Sequence, residues 1–482
     1  MESSTNVTAI WLWVKRKGFE PKRLKLIQVG DGVLTSYAHY SWTRKTKGET
    51  WKNESALAVS LLLEYYFATL STHGGAFKNM FEAFADAVRY GTVDLNGKDH
   101  TGLWWKPHSA HRSNVIIRHV TNYSDWLYHK SGDENALLNP RIKASRHVYM
   151  LNMAAYYHKK HNSFLTHIYN DEKAKEKAKW TRSVGKFSEP RRRDPLARFN
   201  RDNTWAFIDS FTFAGKTLND PIYHRLKLPH VLMFLLMRYG GLRAGECLHI
   251  YFNDITLDPS DSDSALVFVH HPSLGLAPKE WRDSTGRSGA RRREYLSDKF
   301  GLLPRSDPDV ESAAYKAGWK NPVLTTLNER KPELGGNYMV VNWSNPDAGR
   351  LFWKYWILYL QYQRPRNVKH PFALCNANNA EPLSYPAMLN SMNSVSRRLG
   401  LSTGKQSGNT PHGLRHLYKF ELEEMGISER IIQHMMHHSS ITSQSAYAPP
   451  SDAEVRSAID MANTKLASKK ANTVTNRLEQ GF

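Results

Sequence analysis

The chain has 482 residues, 40% hydrophobic and 12% aromatic, enough apolar surface for two or three packed domains and too much for a disordered tail. Lysine and arginine exceed aspartate and glutamate by 21, a balance that favours a polyanionic partner, nucleic acid before an anionic membrane. The longest apolar run, residues 231–237, falls far short of the roughly 20 residues that span a bilayer, and the two cysteines, Cys247 and Cys375, form no metal-type pair, so a membrane span, a disulfide scaffold and a cysteine zinc site are excluded.

Residues 1–50 mix aromatics, glycines and lysines without a clear period and receive no role. The run Ala56-Leu57-Ala58-Val59 with Leu61 to Leu63, Tyr65 and Phe67 predicts a buried helix from Ser55 to about Leu70. Ile116, Val120, Tyr123 and Leu127 recur at helical spacing and predict a second helix over 112–130, and a third is expected over 145–158. Residues 51–170 therefore read as a helical domain. Residues 171–200 carry Lys173, Lys175, Lys177, Lys179 and the triplet Arg191, Arg192 and Arg193 between Pro190 and Pro195. Such a run is either a solvated surface or, as the preferred reading, a basic linker that crosses DNA.

A third region, 201–465, is expected to be globular. Leu226 to Arg238 predicts an apolar helix leading through Gly240 and Gly241 into Arg243. Ala265 to His270 reads as a strand, with Arg293 to Leu296 as its partner across a basic hairpin. Further helices are expected over 351–363, 385–399 and 452–469, and residues 466–482 form a polar tail. The fold class is mainly α with a small antiparallel β-sheet, an α+β arrangement.

The chemistry concentrates near the end of that region. In Thr410-Pro411-His412-Gly413-Leu414-Arg415-His416, Thr410 fits an N-cap and Pro411 a first helical turn, so His412 and Arg415 share one face of a helix. Arginine neutralises phosphate, histidine moves protons, and tyrosine can attack phosphorus. Taken alone, this pair is equally an exposed helix face. Arg243, in Gly241-Leu242-Arg243-Ala244-Gly245-Glu246, emerges after a buried helix with Glu246 able to orient it; taken alone, it reads first as a helix C-terminus whose arginine meets the last carbonyls.

Together these fragments resemble the tyrosine recombinase (phage integrase) family over roughly residues 200–460. Arg243 and Glu246 match its Gly-Leu-Arg-x-x-Glu context, and His412, Arg415 and His416 match its His-x-x-Arg-His block. His438-Ser439-Ser440 matches a Gly-His-Ser element, with His437 in place of the glycine, and Tyr447 follows nine residues after His438. The resemblance implies a catalytic domain behind a helical DNA-binding domain, and a Tyr447 that attacks DNA to leave a 3′-phosphotyrosine and a 5′-hydroxyl. It further implies that Arg243 and Arg415 hold the non-bridging oxygens, His412 moves the tyrosine proton, His438 donates to the phosphate, and Glu246 and His416 support them. Lys279, placed between the two expected strands, is the expected general acid, unless it is a plain surface lysine. Arg287, Arg291 and Arg292 on the same hairpin, with Arg191 to Arg193, are expected DNA contacts. No cofactor or metal is expected, because the phosphotyrosine conserves the bond energy and His434, His437 and His438 lack an acidic or cysteine partner at metal spacing.

The expected partners are double-stranded DNA and further copies of the chain, as a dimer or tetramer on DNA, with no membrane. The expected location is cytoplasmic, on the nucleoid. The expected function is a site-specific recombinase of a mobile element. The alternatives are a type IB topoisomerase-like enzyme that only relaxes DNA, and a recombinase-derived binding protein that no longer cleaves.

Overall fold

The computed structural model describes residues 6–70, 77–161, 169–189, 197–286, 289–325, 336–376, 378–437 and 452–467. The chain divides into two compact units, Met1–Arg193 and Asp194–Phe482.

The first unit opens with an antiparallel sheet of β1 (Val7–Val14), β2 (Lys22–Val29) and β3 (Gly32–Val33). Next come α1 (Thr35–Thr43), α2 (Glu49–Ala68), α3 (Phe77–Tyr90) and α4 (Ala110–Ser131). The helix α4 starts at Ser109, whose side chain accepts from the Arg112 N–H, and stops at Gly132 in the left-handed region. Its predicted stripe is buried, with Ile116 and Val120 against Leu62, Phe81 and Phe84 of α2 and α3. On the other side of α2, Val59 and Leu63 pack with Ile27, Tyr37, Tyr40 and Tyr123, so the unassigned first 50 residues share a core with the helices.

The expected linker is folded over its described part. After β4 (Arg141–Lys143) and α5 (Arg146–His161), α6 (Asp171–Ala178) begins at the Asn170 cap, and β5 (Trp180–Arg182) pairs with β4. Arg182 forms a two-pronged ion pair with Asp125 of α4, 2.5 and 3.0 Å, and Glu189 accepts from the Ala110 N–H at 2.6 Å. The lysines of α6 lie on one solvated helix whose Glu172 and Glu176 pair with Lys175 and Lys179. Composition alone read this stretch as a solvated surface or a basic linker because its few apolar residues, Val184 and Phe187 among them, pack on residues far away in sequence. Arg191 to Arg193 lie outside the described residues.

The second unit is built around α9 (Leu228–Arg238), reached through α7 (Thr204–Ser210) and α8 (Ile222–Arg225). Every residue of α9 but His230 is buried, which explains an apolar run without helical periodicity. The short α10 (Ala244–Cys247) follows, then β6 (Ile255–Asp258) and β7 (Asp261–His270). The strand β7 is buried on both faces, with Val267 and Val269 in the main core and Leu266 and Phe268 packed beside Tyr338 and Val340 of the neighbouring strand.

Here the structure departs from the expected hairpin. Arg293 to Leu296 belong to a helix, α11 (Arg292–Phe300), and β7 pairs instead with β6 and with β8 (Tyr338–Val340). Glu294 accepts from the Arg291 N–H and seals the first turn, so local capping outweighs the strand reading. The unit closes with α12 (Pro346–Leu358), α13 (Tyr385–Arg398), α14 (Pro411–Glu424), α15 (Glu429–Met435) and α16 (Asp452–Ala467). Val455 and Ile459 of α16 pack on Tyr418, Leu422 and Ile432, so this last helix lies on its own chain. The mainly α fold with small antiparallel sheets is as expected, and no described helix is long and apolar enough to cross a membrane.

Candidate active site

Two elements meet at the site. The end of α9 turns sharply at Gly240 and Gly241, where Gly241 has φ +64° and an added Cβ would lie 2.5 Å from the Tyr418 ring. Only glycine allows that approach of the turn to α14. The buried Arg238–Glu421 pair, 2.6 and 2.7 Å, holds the same two helices together. On α14, Thr410 caps the Gly413 N–H at 3.2 Å with Pro411 in the first turn, as the sequence indicated.

Their meeting joins Arg243, Glu246 and Arg415. The Glu246 carboxylate accepts from the Arg243 N–H at 2.7 Å and from its guanidinium at 2.6 Å, and lies 3.9 Å from the Arg415 guanidinium. Glu246 is 1% exposed and Arg415 3%, while Arg243 keeps an open face. Arg415 donates to the Gly241 carbonyl and, at 2.5 Å, to the Met436 carbonyl. Those bonds fix the plane of its guanidinium and leave three of the five donors of an arginine for other acceptors. Burial pushes Arg415 down to about 10, with Glu246 opposing and Arg243 adding to the shift, so it stays charged at neutral pH.

His412 and His416 lie one turn apart on α14, ring centroids 4.3 Å from each other in an edge arrangement. Desolvation comes first, then the charges of His416, Arg415, Lys320 and Arg243, in holding His412 below the ordinary imidazole value of 6.5. His416 is lowered as well, by burial and then by Arg415 and Lys419.

Lys320 had no signal in the sequence. It sits in a loop with no periodicity, brought in by tertiary contacts alone. Gly318 packs its backbone against Gly245, Trp319 lies edge-on to His249 and His271 with centroids 5.5 Å away, and the Val323 N–H donates to the His437 carbonyl at 3.2 Å.

The remaining expectations part ways. Lys279 is exposed after β7, in a loop closed by an antiparallel bridge between Leu276 and Arg291 and not between the two expected strands, and none of the interactions described for the site involves its ammonium group. Arg291 is exposed, with its guanidinium donating to the Leu274 carbonyl at 2.9 Å. Arg292 is not a DNA contact: it is 1% exposed, paired with Asp254 at 2.5 and 2.9 Å and stacked 3.9 Å from the Tyr251 ring. A run of three arginines reads as surface until one of them finds a buried carboxylate. Arg287, His438 and Tyr447 lie outside the described residues.

No curated protein matches the sequence. Among solved structures, the chain is similar to the XerH site-specific recombinase bound to palindromic difH substrate in a post-cleavage complex, with 13% identity over 88% of this chain and 83% of that one, TM-score 0.43. XerH bound to difH in a pre-cleavage complex gives 11% identity over 86% and 78%, TM-score 0.41. The Tn1549 transposon integrase in complex with circular intermediate DNA gives 12% identity over 78% and 97%, TM-score 0.30. Residues 358–454 match the phage integrase family. That matched segment holds His412, Arg415 and the position of Tyr447, so this part of the chain is similar to the phage integrase family.

Proposed function

We propose that the protein is a site-specific DNA recombinase, the integrase of a mobile element, that cleaves and rejoins duplex DNA through a 3′-phosphotyrosine on Tyr447. The observation that carries this reading is the convergence of Arg243 and Arg415, 172 positions apart, on the single buried carboxylate of Glu246. Two guanidiniums held that way are a rigid phosphate clamp, and rigidity is what transition-state stabilisation needs.

In the proposed reaction the Tyr447 oxygen attacks phosphorus and the bond to the 5′-oxygen breaks. His412, kept neutral by its surroundings, takes the tyrosine proton, and a lysine ammonium protonates the leaving oxygen. We assign that lysine to Lys320, whose loop is tied to the site through the Val323 N–H and the His437 carbonyl, in place of the expected Lys279. Rejoining reverses each transfer, so no bond energy is lost and no nucleotide is consumed. His438 donates to the phosphate and His416 supports His412. The exposed Arg291, together with Arg191 to Arg193 and Arg287, contacts the DNA backbone, and protomers assemble as a dimer or tetramer on paired sites.

The test of function is strand exchange. Two duplexes carrying the element's ends should yield recombinant products with the purified protein alone. Relaxation of supercoils without any site requirement would instead identify a topoisomerase-like enzyme, and retention of DNA without cleavage a binding protein.

A second expected outcome concerns pH. The neutral imidazole is the working form, and its proton affinity is held below the ordinary 6.5, so the cleavage rate should stay level as pH falls to that value and drop only below it. Lys320→Ala removes one of the charges responsible and should move this acid limb to higher pH. A limb unmoved by Lys320→Ala, in a pH series of single-turnover cleavage, would contradict the assignment.

A further inference from the structure

One departure from the family pattern has a physical explanation in the fold. Residue 437 stands at φ +52°, in the left-handed region that glycine occupies without strain and a histidine does not. His437 is nonetheless buried, 8% exposed, and its backbone N–H, its carbonyl and its ring Nε2 are all engaged. The N–H donates to the His434 carbonyl at 2.9 Å, closing α15. The ring Nε2 lies 3.1 Å from the Val340 carbonyl at the end of β8, and the His437 carbonyl accepts from Val323 at 3.2 Å. The preceding carbonyl, that of Met436, is the one Arg415 donates to. Because Nε2 faces a carbonyl, it carries the ring proton. Burial, then the charges of His434, Arg415 and Arg243, push this imidazole down to about 3, so the donor persists across the working pH range.

A glycine at this position could make the turn and the two backbone bonds, but it could not tie the turn to β8. We propose that His437 is a positioning residue, whose side chain pins the 436–437 turn to β8 and so holds both the Arg415 guanidinium and the Lys320 loop at the scissile phosphate. The inference rests on the recombinase reading of the site. Arg415 is held through Met436, and Lys320 through Val323, three residues further along the same loop. Loss of the ring therefore releases two cationic groups at once, although His437 touches neither a substrate nor a reacting atom.

Three proteins test this: the native chain, His437→Gly and His437→Gln. Glycine relieves the strain and removes the tie, whereas glutamine keeps an amide donor at similar reach. With nicked duplex carrying the element's end, His437→Gly should lower the single-turnover cleavage rate at saturating DNA by about 100-fold. Its DNA dissociation constant should remain close to native, and glutamine should restore most of the rate. Independently of cleavage, amide exchange at Val323 should quicken by about tenfold in the glycine variant, as expected for one lost hydrogen-bond tie, while α9 keeps its protection. Native-rate cleavage by His437→Gly overturns the inference, as do equal losses in both variants. Unchanged exchange at Val323 overturns it whether or not the protein cleaves. No cleavage by the native chain would instead count against the recombinase reading.

Discussion

Arg415→Ala is expected to slow covalent adduct formation by about 1,000-fold or more, the range seen when a guanidinium that stabilises a phosphoryl transition state is removed. Lysine should not rescue it. A lysine ammonium is a point charge and cannot satisfy the Gly241 and Met436 carbonyls while facing a phosphate as well. The alanine variant also leaves two buried carbonyls without their donor, at about 1–3 kcal/mol each, so its melting temperature should fall too. Single-turnover rates measured well below that temperature separate the two effects. A variant that is destabilised but cleaves at the native rate would remove Arg415 from the chemistry.

Glu246→Ala should have the largest effect on stability. The carboxylate is 1% exposed and is the shared counter-charge of two guanidiniums, one of them buried with it. Removing one partner of such a network costs about 3–5 kcal/mol because the remaining charge stays buried without compensation. For a unit of this size the melting temperature should fall on the order of 10 °C. Cleavage should drop by about 100-fold at a permissive temperature, since Arg243 loses the contact that fixes its direction. Glu246→Gln keeps an acceptor for the Arg243 N–H but not the charge, so it should fall between the two. Thermal unfolding of the three proteins at one ionic strength decides this, and an unchanged midpoint for the alanine variant would contradict the buried-network account.

What was legible in the sequence was local. Gly-Leu-Arg-x-x-Glu is readable because its turn, its cap and its ion pair all fall within six residues, and the start of α14 is readable because Thr410 and Pro411 announce it. The helix α2 carries a dense apolar run and α4 an apolar stripe with helical spacing, so their burial followed. The sheet of residues 7–33 was not legible because β1 has large apolar side chains at both odd and even positions, Trp11 and Trp13 as well as Ile10 and Leu12, which erases the two-residue period.

Long-range pairing defeated the rest. The strand β7 finds its second partner, β8, across 67 intervening residues, and the nearer Arg293 to Leu296 offered a plausible but wrong alternative. Arg292 was misread and Lys320 was missed for the same reason. The arginine looked like surface and is buried on Asp254, while the lysine sits in an unremarkable loop that the fold carries to His412. His437 was visible as a departure from glycine, but the Val340 carbonyl that makes it useful lies 97 residues away.

The central claim is that Tyr447 is a nucleophile served by the clamp of Arg243, Glu246 and Arg415. Its most direct measurement is denaturing electrophoresis of the protein after incubation with labelled, nicked duplex DNA carrying the element's end, without metal or nucleotide. The native protein should form a denaturant-resistant adduct that maps to the peptide containing Tyr447, and Tyr447→Phe should form none. An adduct that survives Tyr447→Phe, or that maps to another residue, would contradict the account.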